Sequence, residues 1–252
     1  MSPHLALGGV AVIAFVLVWG AATGTGFISP LFLPSPWSVA AAAWRSLTDG
    51  TLLRAVLASS GRVFAGFGLA VLVAVPLGIA MAVWAPLRAI LAPFVSLLRP
   101  LPSITWIPLT ILWFGIGEQQ KILIVFLGCW IYILLATYEA TRQVDPLLVR
   151  AARNLGAGTF IVMWEVILPG ALPGILSGLK VTLAIAWSCV LSAEMVAARN
   201  GLGALIWEAK DWGDMTMVLV GMVSISLTVL IADILVARVE RWLQPWLRSR
   251  RH

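Results

Sequence analysis

The chain is a series of long apolar runs separated by short polar or proline-rich stretches. A helix rises about 1.5 Å per residue, so about 20 apolar residues cross the roughly 30 Å hydrocarbon layer of a bilayer. Runs at about that scale predict six spans, over residues 5–22, 63–84, about 89–114, 122–138, 175–195 and 217–236. The third contains Pro93, Pro100, Pro102 and Pro108, which predicts a kinked or broken helix. Residues 27–60 carry Pro30, Pro34 and Pro36 with Arg45, Asp49 and Arg54, and read as interfacial or extramembrane. Within them Ser35-Pro36 starts a short amphipathic helix over residues 37–47.

Composition turns this pattern into a class. The chain has 252 residues, of which 61% are hydrophobic and only 11% charged, with a mean hydropathy of +0.99. A soluble domain carries about 25% charged residues and about 45–50% apolar ones, so this chain cannot cover a soluble surface. The net charge of +6 comes from few acids rather than from basic tracts, which excludes a disordered or nucleic-acid-binding protein. The expected fold class is an all-α integral membrane protein with six transmembrane helices. The first span lacks a preceding positive segment and reads as a retained helix rather than a cleaved leader.

Six spans place both termini on one side. With the termini inside, the inner segments hold Arg88, Arg142, Arg150, Arg153, Arg238, Arg241, Arg248, Arg250 and Arg251. The outer segments hold Arg45, Arg54, Lys121, Arg199 and Lys210. The positive-inside rule therefore predicts cytoplasmic termini. Stripes of small residues, Gly66-Ala70-Ala74-Gly78 and Gly178-Thr182-Ala186, offer close-packing faces within a bundle or a dimer. Cys129 and Cys189 sit in apolar runs and His4 and His252 at the chain ends, a pattern without disulfide or metal-ligand spacing.

Residues 142–172 form a loop too long for an ordinary connector. Asp145 is a helix cap with Pro146 at the first position, and Leu147, Leu148, Ala151, Ala152 and Leu155 follow at helical spacing. Gly156 and Gly158 stop that helix, and Thr159 caps a second over residues 160–167. Pro169 and Pro173 punctuate the return to the membrane. An amphipathic helix of this kind lies on lipid or docks on another protein.

Arg150-Ala151-Ala152, then Gly156, then Val166-Ile167-Leu168-Pro169 resembles the EAA loop of membrane subunits of bacterial ATP-binding-cassette importers. Arg150 stands where the family has its leading Glu. The resemblance spans roughly residues 27–245 and is similar to the branch importing taurine, alkanesulfonates, nitrate and related anions. It includes Leu98-Arg-Pro-Leu-Pro102, Trp113-Phe-Gly-Ile-Gly-Glu118, Ser192-Ala-Glu-Met195 and Asn200-Gly-Leu-Gly203. It implies a single permease domain over residues 1–252, with a core of about 60–240, in the bacterial inner membrane. It also implies two ATPase subunits docked on Arg150, Ala151, Ala152, Arg153, Leu155 and Gly156, a periplasmic binding protein and a second permease copy. ATP and Mg would be bound by the ATPase partners, with no cofactor in this chain. Gly174-Ile-Leu-Ser-Gly178-Leu-Lys180 lacks the glycine before lysine that a phosphate-binding loop needs.

Ionisable groups inside spans are costly and invite explanation. Arg99 interrupts the third span, either attracting an anion or binding carbonyls freed by Pro100 and Pro102. Glu194 pairs with Arg199 or Lys121, or lines a gate; Asp233 pairs with Arg88 or Arg238. Trp106, Trp113 and Trp187 lie within spans and are expected along the path, as are Ser188 and Ser192, one turn apart. Trp37, Trp44, Trp84, Trp207, Trp212, Trp242 and Trp246 form interfacial belts. The leading reading is a permease for a small anion. A permease for a neutral nutrient such as a thiamine precursor, an intramembrane lipid-modifying enzyme and a passive channel are the alternatives.

Overall fold

The structure is a computed structural model that describes residues 3–243. The readings made on His4, Arg241, Trp242, Trp246, Arg248, Arg250, Arg251 and His252 fall outside the described residues or side chains. The described chain is helical throughout: α1 Pro3–Gly24, α2 Pro36–Thr48, α3 Thr51–Val83, α4 Ala85–Leu98, a 3-10 turn Ser103–Trp106, α5 Ile107–Phe114, α6 Glu118–Arg142, α7 Pro146–Asn154, one turn α8 Thr159–Ile161, a π-helical segment Val162–Ile167, α9 Leu168–Ala197, α10 Leu202–Asp211 and α11 Met215–Leu243.

Four stretches are long and apolar enough to cross a membrane: Thr51–Val83, Glu118–Arg142, Thr159–Val196 and Met215–Arg238. The proline-rich span is a pair of helices, Ala85–Leu98 and Ser103–Phe114, bent by 93°, and makes a fifth if counted as one. The first expected span lies in the 22-residue helix α1 Pro3–Gly24, which is apolar over Gly9–Gly24. Its Val12, Phe15, Leu17 and Val18 are all highly exposed.

Two elements differ from the sequence expectation. Residues 51–60, read as interfacial or extramembrane, are the first turns of the long helix α3, whose 33 residues exceed the roughly 20 that a crossing needs. Glycine is well tolerated in membrane helices, and no proline occurs in α3 before Pro76. In the loop, Gly158 rather than Thr159 takes the cap position, and Pro169 and Pro173 do not end a helix. The π-helical turns of Val162–Ile167 lead straight into α9. A widened turn of this kind accommodates a residue that cannot donate.

The chain forms two compact units, Met1–Ser59 with Glu194–Thr228, and Ser60–Ala193 with Val229–His252. The second is built around α6, whose Ile124, Val125, Cys129, Ile133 and Leu134 are fully buried. A Cβ at Gly66 of α3 would fall 2.6 Å from the Ile122 carbonyl, and one at Gly78 2.7 Å from that of Leu134. On α9, a Cβ at Gly174 would lie 2.7 Å from that of Ala140, and Gly178 packs on Ala136 in the same way. Both small-residue stripes therefore face α6 within the chain. Ala70, Ala74 and Ala186 are completely buried and are not available to a second copy. At the entry to α6, buried Arg62 grips Glu118 with two hydrogen bonds, Nε at 2.6 Å and Nη2 at 2.7 Å, and Lys121 adds a third at 3.0 Å.

In the first unit the Trp19 indole donates to the Pro34 carbonyl at 3.0 Å, tying α1 to the start of α2. The Ser35 hydroxyl accepts from the Ser38 amide and caps α2, as the Ser-Pro signal predicts.

Candidate functional site

The loop after α6 is built by its caps. The Asp145 carboxylate accepts from the Leu147 amide at 2.8 Å, and Pro146 opens α7 at a position where no amide hydrogen is needed. Gly156 ends the helix with φ of +86°, a conformation that costs a residue bearing a Cβ about 1–2 kcal/mol. The apolar face carries Leu147 at 67%, Leu148 at 54% and Leu155 at 89% exposure. Arg150, Ala151, Arg153 and Gly156 are exposed and Ala152 is partly so. Phe160 and Trp164 lie against each other at 6.0 Å and are also exposed. A helix of this amphipathicity with its apolar side bare is incomplete by itself.

The residues expected along the path separate into distinct environments. Arg99 and Trp106 come together: both line a cavity of about 100 Å³ in the second unit, with Ser103, Trp130, Tyr132 and Cys189. The 93° bend between α4 and the 3-10 turn puts them there. Gly128 lets the wall close, since a Cβ on it would collide with the Cys189 sulfur and come within 3.1 Å of Ser103 Cβ. The Arg99 side chain makes no hydrogen bond or ion pair with any described residue, so it does not clamp the carbonyls around Pro100 and Pro102.

The other path residues lie elsewhere. Trp113 is exposed on α5 and does not line this cavity. Trp187 is 2% exposed, and its indole N–H finds no acceptor among the described residues. The Ser188 hydroxyl donates to the Ala184 carbonyl at 3.4 Å and that of Ser192 to the Ser188 carbonyl at 3.0 Å. Their protons are thus engaged on their own helix.

Glu194 is 1% exposed in the first unit. Its carboxyl receives the Ser59 hydroxyl at 2.8 Å and the Gly203 amide at 2.9 Å. Ser59 in turn accepts from the Leu202 amide at 2.9 Å. The loop between α9 and α10 is thereby tied to α3. Lys121, one cation expected to meet Glu194, pairs with Glu118 instead. Asp233 forms no ion pair with any described residue, so neither Arg88 nor Arg238 serves it. Arg62, buried and bidentate on Glu118, was not distinguished in the sequence from other charges near span ends. Trp37, Trp44, Trp84, Trp207 and Trp212 are exposed, in keeping with an interfacial belt.

Known proteins give this architecture a context. Residues 74–249 match the family described as binding-protein-dependent transport system inner membrane component. The chain belongs to that family. It is 36% identical to the taurine transport system permease protein of Escherichia coli K12, over 96% of this chain and 89% of that protein. It is 34% identical to the putative aliphatic sulfonates transport permease protein of the same organism, over 94% and 89%. The riboflavin transport system permease protein of Chloroflexus aurantiacus is also 34% identical, over 94% and 88%. In fold, the chain resembles a protein of the inward-facing MetNI methionine ABC transporter, with a TM-score of 0.64 at 23% identity, covering 76% of this chain and 97% of that one. The chain is thus a multi-pass permease subunit of an ATP-binding-cassette importer, a transport component and not an enzyme. That role entails ATPase and binding-protein partners, and it closes the readings of a lipid-modifying enzyme and of a passive channel.

Proposed function

We propose that this permease carries a small organic sulfonate such as taurine across the bacterial inner membrane. A periplasmic binding protein delivers the substrate, and two ATPase subunits, which bind ATP and Mg, drive the cycle. The observation that carries the substrate class is the full-length likeness to the taurine permease, joined by the sulfonate permease. Nitrate and bicarbonate rank behind sulfonates on the same ground.

The coupling surface is the bare face of α7. Leu147, Leu148 and Leu155 fill a groove on the ATPase, flanked by Arg150, Ala151, Ala152, Arg153 and Gly156. A membrane-parallel helix is the lesser reading, because the loop's spacing resembles the coupling loop of importer permeases, and the glycine stop and π-helical return are compatible with a docked helix. Two ATPase subunits need two such helices, so the working permease is a homodimer embedded in lipid, with its termini on the cytoplasmic side. The substrate path includes Arg99 and Trp106; Trp113, Trp187, Ser188, Ser192 and Glu194, which do not line the cavity beside Arg99, are proposed for other stretches of it.

The riboflavin permease among the relatives supports a second reading, a neutral nutrient. The two separate in one experiment. The permease is reconstituted with its ATPase and binding protein, and uptake of labelled taurine is compared with uptake of riboflavin and of a thiamine precursor. ATP-dependent taurine uptake is expected. Uptake of a neutral compound with none of any sulfonate would replace the proposal.

A further inference from the structure

We infer that the cavity beside Arg99 is a subsite for the oxyanion headgroup of the substrate, held by Arg99 and Tyr132 and walled by Trp106 and Trp130. This rests on the sulfonate reading above and adds to it a site and a second binding residue.

Four observations support it. First, the Arg99 guanidinium has no partner among the described residues and stands exposed at the break between α4 and the 3-10 turn. A guanidinium offers five donors and no acceptor, and it matches the planar face of an oxyanion. Second, its neighbours reinforce that sign. The Tyr132 hydroxyl and the indole N–H groups of Trp106 and Trp130 also have no hydrogen-bond partner among the described residues, and no Asp or Glu lines the cavity. The cavity thus offers several donors and no carboxylate.

Third, the cavity is small, about 100 Å³, with room for a few waters or a three-oxygen headgroup at its open mouth. Fourth, the wall is built closely: Gly128 admits Ser103 and Cys189 to positions that any Cβ would block.

The test uses the assembled importer with its binding protein in liposomes, and labelled taurine as the probe. Arg99→Gln should cut uptake about tenfold or more and Tyr132→Phe about threefold, in line with losing one charged and one neutral hydrogen bond. Arg99→Lys should restore part of the loss, with every complex recovered at wild-type yield. Uptake by Arg99→Gln within about twofold of wild type would overturn the site while leaving the sulfonate reading standing. A wild-type importer that carries no sulfonate overturns that reading and the site with it. A dependence of wild-type activity on phosphatidylglycerol that Arg99→Gln abolishes, with taurine uptake otherwise equal, would give the cavity to a lipid headgroup and likewise overturn the inference.

Discussion

At the residue scale the most exacting arrangement is the one around Glu194. Ser59 both donates to its carboxyl and accepts from the Leu202 amide, so one hydroxyl serves two buried groups. Ser59→Ala removes both bonds and leaves the Leu202 amide unsatisfied, at an expected cost of about 1–3 kcal/mol. Gly201→Ala should cost more: the position has φ of +121°, and a Cβ would come within 2.5 Å of the Glu194 carboxyl. Thermal unfolding of the detergent-solubilised complex checks both. The prediction fails if Gly201→Ala melts at or above Ser59→Ala. Little of this was readable in the chain. Glu194 stands close in sequence to Arg199, which suggested an ion pair, whereas Ser59 lies 135 residues away and carries no charge to mark it. Arg99 was readable because a charge inside an apolar run is conspicuous wherever the chain folds. Its lack of a partner was not, since the carbonyls beside Pro100 and Pro102 are near in sequence, and nearness in sequence does not tell whether a guanidinium bonds them.

At the element scale, α7 is the part that local chemistry specifies most completely. Its cap, its first proline, its apolar spacing and its terminal glycine all act within a few residues, so the sequence shows the helix directly. Gly156→Pro is incompatible with the observed φ of +86°, since proline holds φ near −65°. It should abolish most taurine uptake while ATP hydrolysis by the complex continues, which paired uptake and phosphate-release assays will show. Ala152→Asp, which places a charge beside the apolar face, should uncouple in the same direction. Uptake at the wild-type rate in either variant would remove α7 from the coupling surface. The helix ends of α3 and α9 were less legible. The prolines at 169 and 173 read as punctuation of the return to the membrane, yet packing of α9 on α6 and the π-helical turns before it carry the helix past them. Tertiary contacts outweigh local propensity there.

At the scale of the whole molecule, the coupling role proposed for α7, one helix per chain, sets an expected stoichiometry. The complex should contain two identical permease subunits for two ATPase subunits, and native mass spectrometry will count them. One permease copy, or a second permease of different sequence, would contradict this. The small-residue stripes lend no support, because they are already occupied inside the chain; a repeat in sequence cannot reveal whether its partner is cis or trans. The bend of 93° between α4 and the 3-10 turn has a consequence for the bilayer itself. Between Leu98 and Ser103 the backbone leaves the helix, and Pro100 and Pro102 have no amide hydrogen to offer, so nearby carbonyls are left for water or protein to satisfy. Hydrocarbon cannot do that. Where this stretch lies in the bilayer, its unpaired carbonyls therefore call for water or protein neighbours, and an acyl chain is the one neighbour that cannot serve them.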